Sequence, residues 1–230
     1  MLLAIDTSTR YAGVALADGE RVVSCRCWYS TVNHTRELMP AVSEILESRR
    51  LTPGDLAGIA VALGPGGFSA LRVGASVAKG LAMAARKPLI GLGTLDLEAF
   101  PYRESGLAVC SLLDAGRREV ASAYFSPDGQ RIREDFITTP EKLLAGIDRA
   151  TLFCGEGVAP WTGLIKQHLG PLAVVVSHPS PAARLWSLSE FGWQRLEAGE
   201  FDDLVTLQPY YLRMPSIGGP KRRDWTPQQT

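Results

Sequence analysis

Three short stretches bring acidic, hydroxyl and glycine residues to places where a fold can use them. Asp6-Thr7-Ser8 ends an apolar run that begins at Leu2, and Asp114-Ala115-Gly116 ends a second run, Leu107 to Leu113. A carboxylate at a strand end beside a turn is placed to hold a divalent metal or its waters against a polyphosphate. It can equally do no more than accept the amides of its own turn, as Asp commonly does. Gly64-Pro65-Gly66-Gly67 precedes a helical pattern, so the free amides of that helix's first turn could cradle an anion. No Gly-Lys-Ser/Thr follows, which excludes a Walker loop. A tight strand-to-helix turn would call for Gly66 and Gly67 equally well.

Metal and nucleophilic catalysis have less to work with. The histidines are His34, His168 and His178. A paired-imidazole site on a helix needs two of them one turn apart, and the residue four places after His34 is Leu38. No nucleophile stands beside a recognisable base. Cys25, Cys27, Cys110 and Cys154 lie among apolar strands without C-x-x-C spacing, and so read as reduced, packed thiols. Strand alternation points Cys25 and Cys27 to one face.

The elements that must carry these residues repeat. Leu2 to Asp6, Arg10 to Ala17 and Arg21 to Tyr29 read as a three-stranded meander with Asp18-Gly19 at its second turn. In the third strand Val22, Ser24, Arg26 and Trp28 alternate against Val23, Cys25, Cys27 and Tyr29. The grammar returns as Leu107 to Asp114, Glu119 to Phe125, Pro127-Asp128-Gly129 and Gln130 to Asp135, which points to an internal duplication. Each meander is followed by alternating helices and strands. The first half offers a helix at Thr35 to Arg49, a strand at Leu56 to Leu63, a helix at Ser69 to Arg86 and a strand at Pro88 to Leu92. The second offers helices at Pro140 to Ala145, Pro160 to His168 and Pro181 to Ala198, with strands at Thr151 to Cys154 and Leu172 to Val176.

Repeated β-β-β-α-β-α is the order of the actin, Hsp70 and sugar-kinase fold. The class predicted is therefore α/β, with two actin-like, ribonuclease H-like domains that flank a cleft, each a mixed sheet with helices. Residues 1–100 form the first and 101–215 the second, with the boundary between Leu95 and Gly106. Residues 216–230, with Lys221-Arg222-Arg223, read as a solvated tail. Lys plus Arg and Asp plus Glu both number 24, so no global positive field draws in a polyanion. No apolar run reaches the roughly 18 residues that a membrane span needs, and no leader is recognisable, so a cytoplasmic protein is expected.

Four segments together resemble the TsaB (YeaZ) family: Ala4-Ile5-Asp6-Thr7-Ser8-Thr9, His34 with Leu38-Met39-Pro40, Gly64 through Gly74, and Lys79-Gly80-Leu81-Ala82. Leu113-Asp114-Ala115, Gly155-Glu156-Gly157 and Pro209-Tyr210-Tyr211-Leu212-Arg213 extend the resemblance over nearly the whole chain. It departs at Gly67, Ser69 and Ala70, where the family has Ser, Thr and Gly. The resemblance implies a non-catalytic subunit of the bacterial system that forms N6-threonylcarbamoyladenosine at adenosine 37 of tRNAs reading ANN codons. The transferring subunit, TsaD, holds a metal through a His-x-x-x-His pair. The resemblance further implies that the chain binds and activates TsaD, shares a complex with TsaE, pairs with itself when alone, and meets tRNA only through the complex. No metal and no tightly bound cofactor is implied. ATP or ADP with magnesium is expected in the complex only, near Asp6, Thr7, Ser8, Gly66, Gly67 and Asp114. Two other readings stand beside it: a self-sufficient actin-fold ATPase or phosphotransferase working through Asp6 and Asp114, and a peptidase.

The second helix sets Ala70, Gly74, Ala78 and Ala82 on one stripe and Val73, Val77, Leu81 and Ala85 on the next. A helix apolar nearly all round needs cover on both sides, and small residues permit close helix packing. On the first helix Leu38, Val42, Ile45 and Arg49 share a side, with Met39 and Leu46 outside it. The partner surface expected comprises Leu38, Met39, Val42, Leu46, Ala70, Leu71, Val73, Gly74, Val77, Ala78 and Leu81, with an intramolecular core as the alternative. On that reading Gly74→Leu weakens dimerisation and spares the monomer. Pro40 should bend or delimit the first helix, and Trp186 and Trp193 read as core.

Overall fold

Strand β1 (Leu2–Asp6) is buried along its whole length, which requires neighbours on both edges and cover on both faces. The computed structural model, which describes residues 1–31, 34–177, 179, 180 and 182–213, supplies all four. β2 (Tyr11–Asp18) pairs antiparallel on one edge of β1 and β4 (Gly58–Gly64) parallel on the other. With β3 (Arg21–Tyr29) and β5 (Leu89–Gly93), the sheet order is β3-β2-β1-β4-β5. The second sheet is built from β6 (Ala108–Asp114), β7 (Val120–Phe125), β8 (Arg131–Thr138), β9 (Thr151–Cys154) and β10 (Ala173–Val175), in the order β10-β9-β6-β7-β8. Each strand thus has its counterpart five strands on, with the same parallel and antiparallel partners, as the duplication predicts.

The first sheet is packed by size. One face presents Leu3, Ile5, Val14, Leu16, Ile59, Val61 and Leu89 to α1 (His34–Glu47) and α2 (Phe68–Ala85), and α2 answers with Ala78 and Ala82. The other presents Ala4, Ala15, Ala17, Ala60 and Ala62 to Leu185 and Leu188 of α6 (Ala183–Glu197). Large residues meet small ones on both sides, so the layers interdigitate. α4 (Pro140–Leu144) and α5 (Thr162–Leu169) cover the second sheet's outer face. Leu95 and Ala99 of α3 (Thr94–Ala99) cover its inner face.

Several expectations are corrected here. The helix expected from Pro181 to Ala198 was assigned to the second domain, yet it lies on the first sheet. α3, a helix the sequence pattern did not show, sets Leu95 and Ala99 on the second sheet while its Leu97 stays in the core between the first sheet and α6. The division at 100 separates the two sheets but not the layers that cover them. The third strand does not keep strict alternation. Leu16 pairs with Ser24 but Ala17 with Val22, and this bulge turns Val23 and Trp28 toward the α1 side and Val22 and Cys27 toward α6. The second turn is Gly19-Glu20, since Asp18 still pairs with Arg21. α1 runs on through Pro40. Trp193 packs on the first sheet, whereas Trp186 is 52% exposed and is not core. Pro181, His178 and the tail from 216 lie outside the described residues.

α6 can lie close to the sheet because Gly192 faces Ala60; a Cβ on Gly192 would stand 2.8 Å from that of Ala60. Gly192→Val is therefore expected to lower the unfolding free energy by about 1–3 kcal/mol through overpacking, measured by urea titration. An unchanged midpoint would mean that α6 does not seat on the first sheet.

Candidate functional site

Two loops after parallel strands press against the end of the first strand of each meander, on the turn that follows β1 in the first half and on β6 itself in the second. In the first half a Cβ on Gly66 would lie 2.2 Å from the Ser8 carbonyl oxygen, and Gly67 donates its N–H to that oxygen at 2.8 Å. In the second half Gly157 donates to the Leu112 carbonyl at 2.9 Å. Gly155 holds φ +96° with no room for a side chain beside Leu112. The Gly155-Glu156-Gly157 turn is thereby pinned to β6, and Glu156 projects across toward the first half.

There it meets Arg184, which is 2% exposed. The guanidinium donates through Nε to Asp6 Oδ2 at 2.6 Å, through Nη1 to Glu98 at 2.8 Å and to Glu156, and through Nη2 to Thr9 Oγ1 at 2.8 Å and the Tyr11 carbonyl at 2.9 Å. All five of its N–H groups are engaged. Thr9 Oγ1 also donates to Glu156 at 2.9 Å. The other oxygen of Asp6, Oδ1, accepts the Ser8 amide at 2.8 Å and the Ser8 hydroxyl at 2.6 Å. Thr7 donates its hydroxyl to the Ala70 carbonyl at 2.7 Å. Burial pushes the Glu98 carboxyl above the ordinary glutamate value, although Arg184 beside it pulls the other way.

The candidate nucleotide residues therefore divide. Asp6, Thr7 and Ser8 are buried and bonded within the chain, and Ser8 also lines the groove beside Gly66 and Gly67. Gly66, Gly67 and Asp114 do come together, in two adjoining grooves of about 410 and 460 Å³ between the sheets. Asp114 is exposed and accepts the Gly116 amide at 2.9 Å, the turn role that its position allowed. Arg10, His34 and Arg117 line the same grooves. His34 Nδ1 is buried without a partner among the described residues, and burial holds its pKa below the ordinary histidine value. Among the described residues no group of three or more His, Cys, Asp or Glu is placed to hold a metal ion. Cys110 and Cys154 are packed as expected, and burial pushes the Cys110 thiol up to about 12. Cys25 is exposed and Cys27 half-buried, contrary to the packing reading.

The expected partner surface divides too. Leu38, Val42, Leu46, Ala70, Leu71, Gly74 and Ala78 are buried within the chain, because both helices turn these residues to the sheet. Met39 is 43% exposed, and Val73, Val77 and Leu81 are half-buried at the outer edge. Gly80 and Met83 are exposed beside them. A side chain on Gly74 would meet Thr7 Oγ1 at 2.3 Å, so Gly74→Leu strikes the monomer's own core.

Arg184 and Glu98 went unnoticed in the sequence. The available signal was a charge inside an otherwise apolar run, Leu95-Asp96-Leu97-Glu98-Ala99, and an arginine next to the core residue Leu185.

Residues 29–158 match the family model described as TsaD: tRNA N6-adenosine threonylcarbamoyltransferase. The tRNA threonylcarbamoyladenosine biosynthesis protein TsaB of Bacillus subtilis is 29% identical over 93% of this chain and 94% of its own. That of Haemophilus influenzae is 37% identical over 73% of this chain and 77% of its own. The solved structure of YeaZ from Pseudomonas aeruginosa superposes with a TM-score of 0.74 at 28% identity, covering 92% of this chain and 99% of that one. The activator of 2-hydroxyisocaproyl-CoA dehydratase from Clostridium difficile shares the fold, with a TM-score of 0.52 at 10% identity over 86% and 95% of the two chains.

Because burial raises the Glu98 pKa in the folded state, its contribution to stability is fully present below the unfolded-state pKa and is lost as pH rises through the folded one. Glu98→Gln keeps an oxygen for Arg184 and removes that titration. Thermal midpoints measured against pH should fall less steeply above the ordinary glutamate range than in the parent. An unchanged slope would show that Glu98 is ionised throughout.

Proposed function

The chain belongs to the TsaB family, and from that membership we propose that it serves tRNA threonylcarbamoyladenosine biosynthesis as a non-catalytic subunit that binds and activates TsaD. One observation carries the non-catalytic part. The position one helical turn after His34 is Leu38, fully buried under the first sheet, so α1 offers a single imidazole where a two-histidine metal site needs a pair. The rival ATPase reading needs a free carboxylate at Asp6, and both of that residue's oxygens are already engaged.

The binding part rests on the outward side of α1 and α2. Met39, Val73, Val77, Gly80, Leu81 and Met83 lie along it, and two methionines suit a surface that must adapt to a partner. Because the family model matched here is that of TsaD, a helix pair of this kind can meet its counterpart in TsaD or in a second copy of this chain. TsaE joins in the assembled complex, as does any ATP or ADP with magnesium, where Gly66, Gly67 and Asp114 are the residues free to meet them. With equal numbers of acidic and basic residues, the chain meets tRNA through the complex rather than alone.

The test uses Gly80, whose Cβ position has nothing within 4 Å in the monomer. Gly80→Arg should leave the thermal midpoint near that of the parent and weaken association with TsaD by about tenfold or more, about 1.4 kcal/mol, by titration calorimetry. Gly74→Leu should instead lower the midpoint of the isolated chain by collision with Thr7. Undiminished binding by Gly80→Arg would remove this surface from the reading, and modified adenosine formed by the chain alone would remove the non-catalytic assignment.

A further inference from the structure

We propose that Arg184 is a built-in cation that ties the two halves of the chain at one angle, in the place where this architecture otherwise holds a metal brought in with a nucleotide. In actin-like proteins the carboxylate that ends the first strand holds the metal or its waters, and the ligand bridges the two domains. Here that carboxylate is Asp6. Oδ2 takes the Arg184 Nε proton at 2.6 Å, and Oδ1 takes two donors from Ser8, so no face is left for a hydrated magnesium ion. The residues present do not fit the metal; they fit the guanidinium.

The same guanidinium does the bridging. Asp6, Thr9 and Tyr11 belong to the first sheet and its turn, Glu98 to the helix that crosses between the halves, and Glu156 to the turn after β9 in the second. Arg184 lies in the first turn of α6, where a positive charge opposes the helix dipole, so helix stability does not account for it. With side-chain exposures of 3% for Arg184 and Glu98 and 2% for Asp6, water does not compete for the bonds among these three. The cleft angle is then set by the chain itself and does not respond to a nucleotide.

Spin labels on α1 and α4, at Ser43→Cys and Lys142→Cys in a Cys25→Ser, Cys27→Ser background, report the distance between the halves by pulsed electron resonance. The proposal expects one narrow distance, unmoved by ATP with magnesium. Arg184→Ala should broaden it, and ethylguanidinium, which replaces the atoms removed, should narrow it again. If Arg184→Ala fails to fold, Glu156→Gln, at a side chain 24% exposed, removes the charge on the second half's arm alone and should broaden the distance while the chain stays folded. A distance that moves with ATP and magnesium in the parent, or one that stays narrow in the variants, overturns the proposal. Neither outcome bears on binding to TsaD, which is measured separately.

Discussion

One buried guanidinium is the point at which both sheets, the crossing helix and the last helix meet. A buried ion pair is not in itself a source of stability, because desolvating the charges can cost more than their attraction returns. What it supplies is selectivity among packings. With three carboxylates and two further oxygens arranged to match five donors, any other angle between the halves leaves charged groups buried and unpaired. The apolar layers tolerate some sliding; the hub does not.

The exchange of helices makes the hub possible. α6 follows the last strand of the second sheet and lies on the first, while α3 follows the last strand of the first and carries Leu95 and Ala99 onto the second. Each half is therefore closed by an element the other half supplies. That is why Glu98 and Arg184, 86 residues apart in the chain, come within 2.8 Å. The residues that follow α6 also return to the first half. Asp202 donates its amide to the Leu89 carbonyl, Tyr210 donates its amide to the Leu63 carbonyl, and Lys79 donates to the Leu207 carbonyl at 2.9 Å.

The local pattern was legible where the physics is local. Among the described residues, apolar and alternating runs locate nine of the ten strands within two residues at each end, missing β8 at its C-terminal end, and helical periodicity locates five of the six α-helices. α3 escaped because six residues give too little periodicity to count, and the bulge at Val23 escaped because alternation reads the same until a partner strand fixes the register. The candidate site was half legible for a related reason. Asp6 and Asp114 occupy equivalent strand ends, and sequence alone gave them one role. Their fates differ because a cation from 178 residues away reaches Asp6, whereas Asp114 accepts only the Gly116 amide among the described residues.

The small-residue stripe of α2 teaches the same point about faces. Of this stripe Ala70, Gly74 and Ala78 belong to the partner surface that the sequence leads one to expect, but close packing is also what a helix needs against a sheet studded with Leu and Ile. Periodicity shows that a stripe exists, not which way it turns. The sheet's own composition decides: its α2 side carries Leu3, Ile5, Ile59 and Val61, so the facing helix must be slim there. The larger residues Val73, Val77 and Leu81 are thereby pushed to the outer edge beside Met39 and Met83. The surface left for a partner is the one that the core's steric demands could not use.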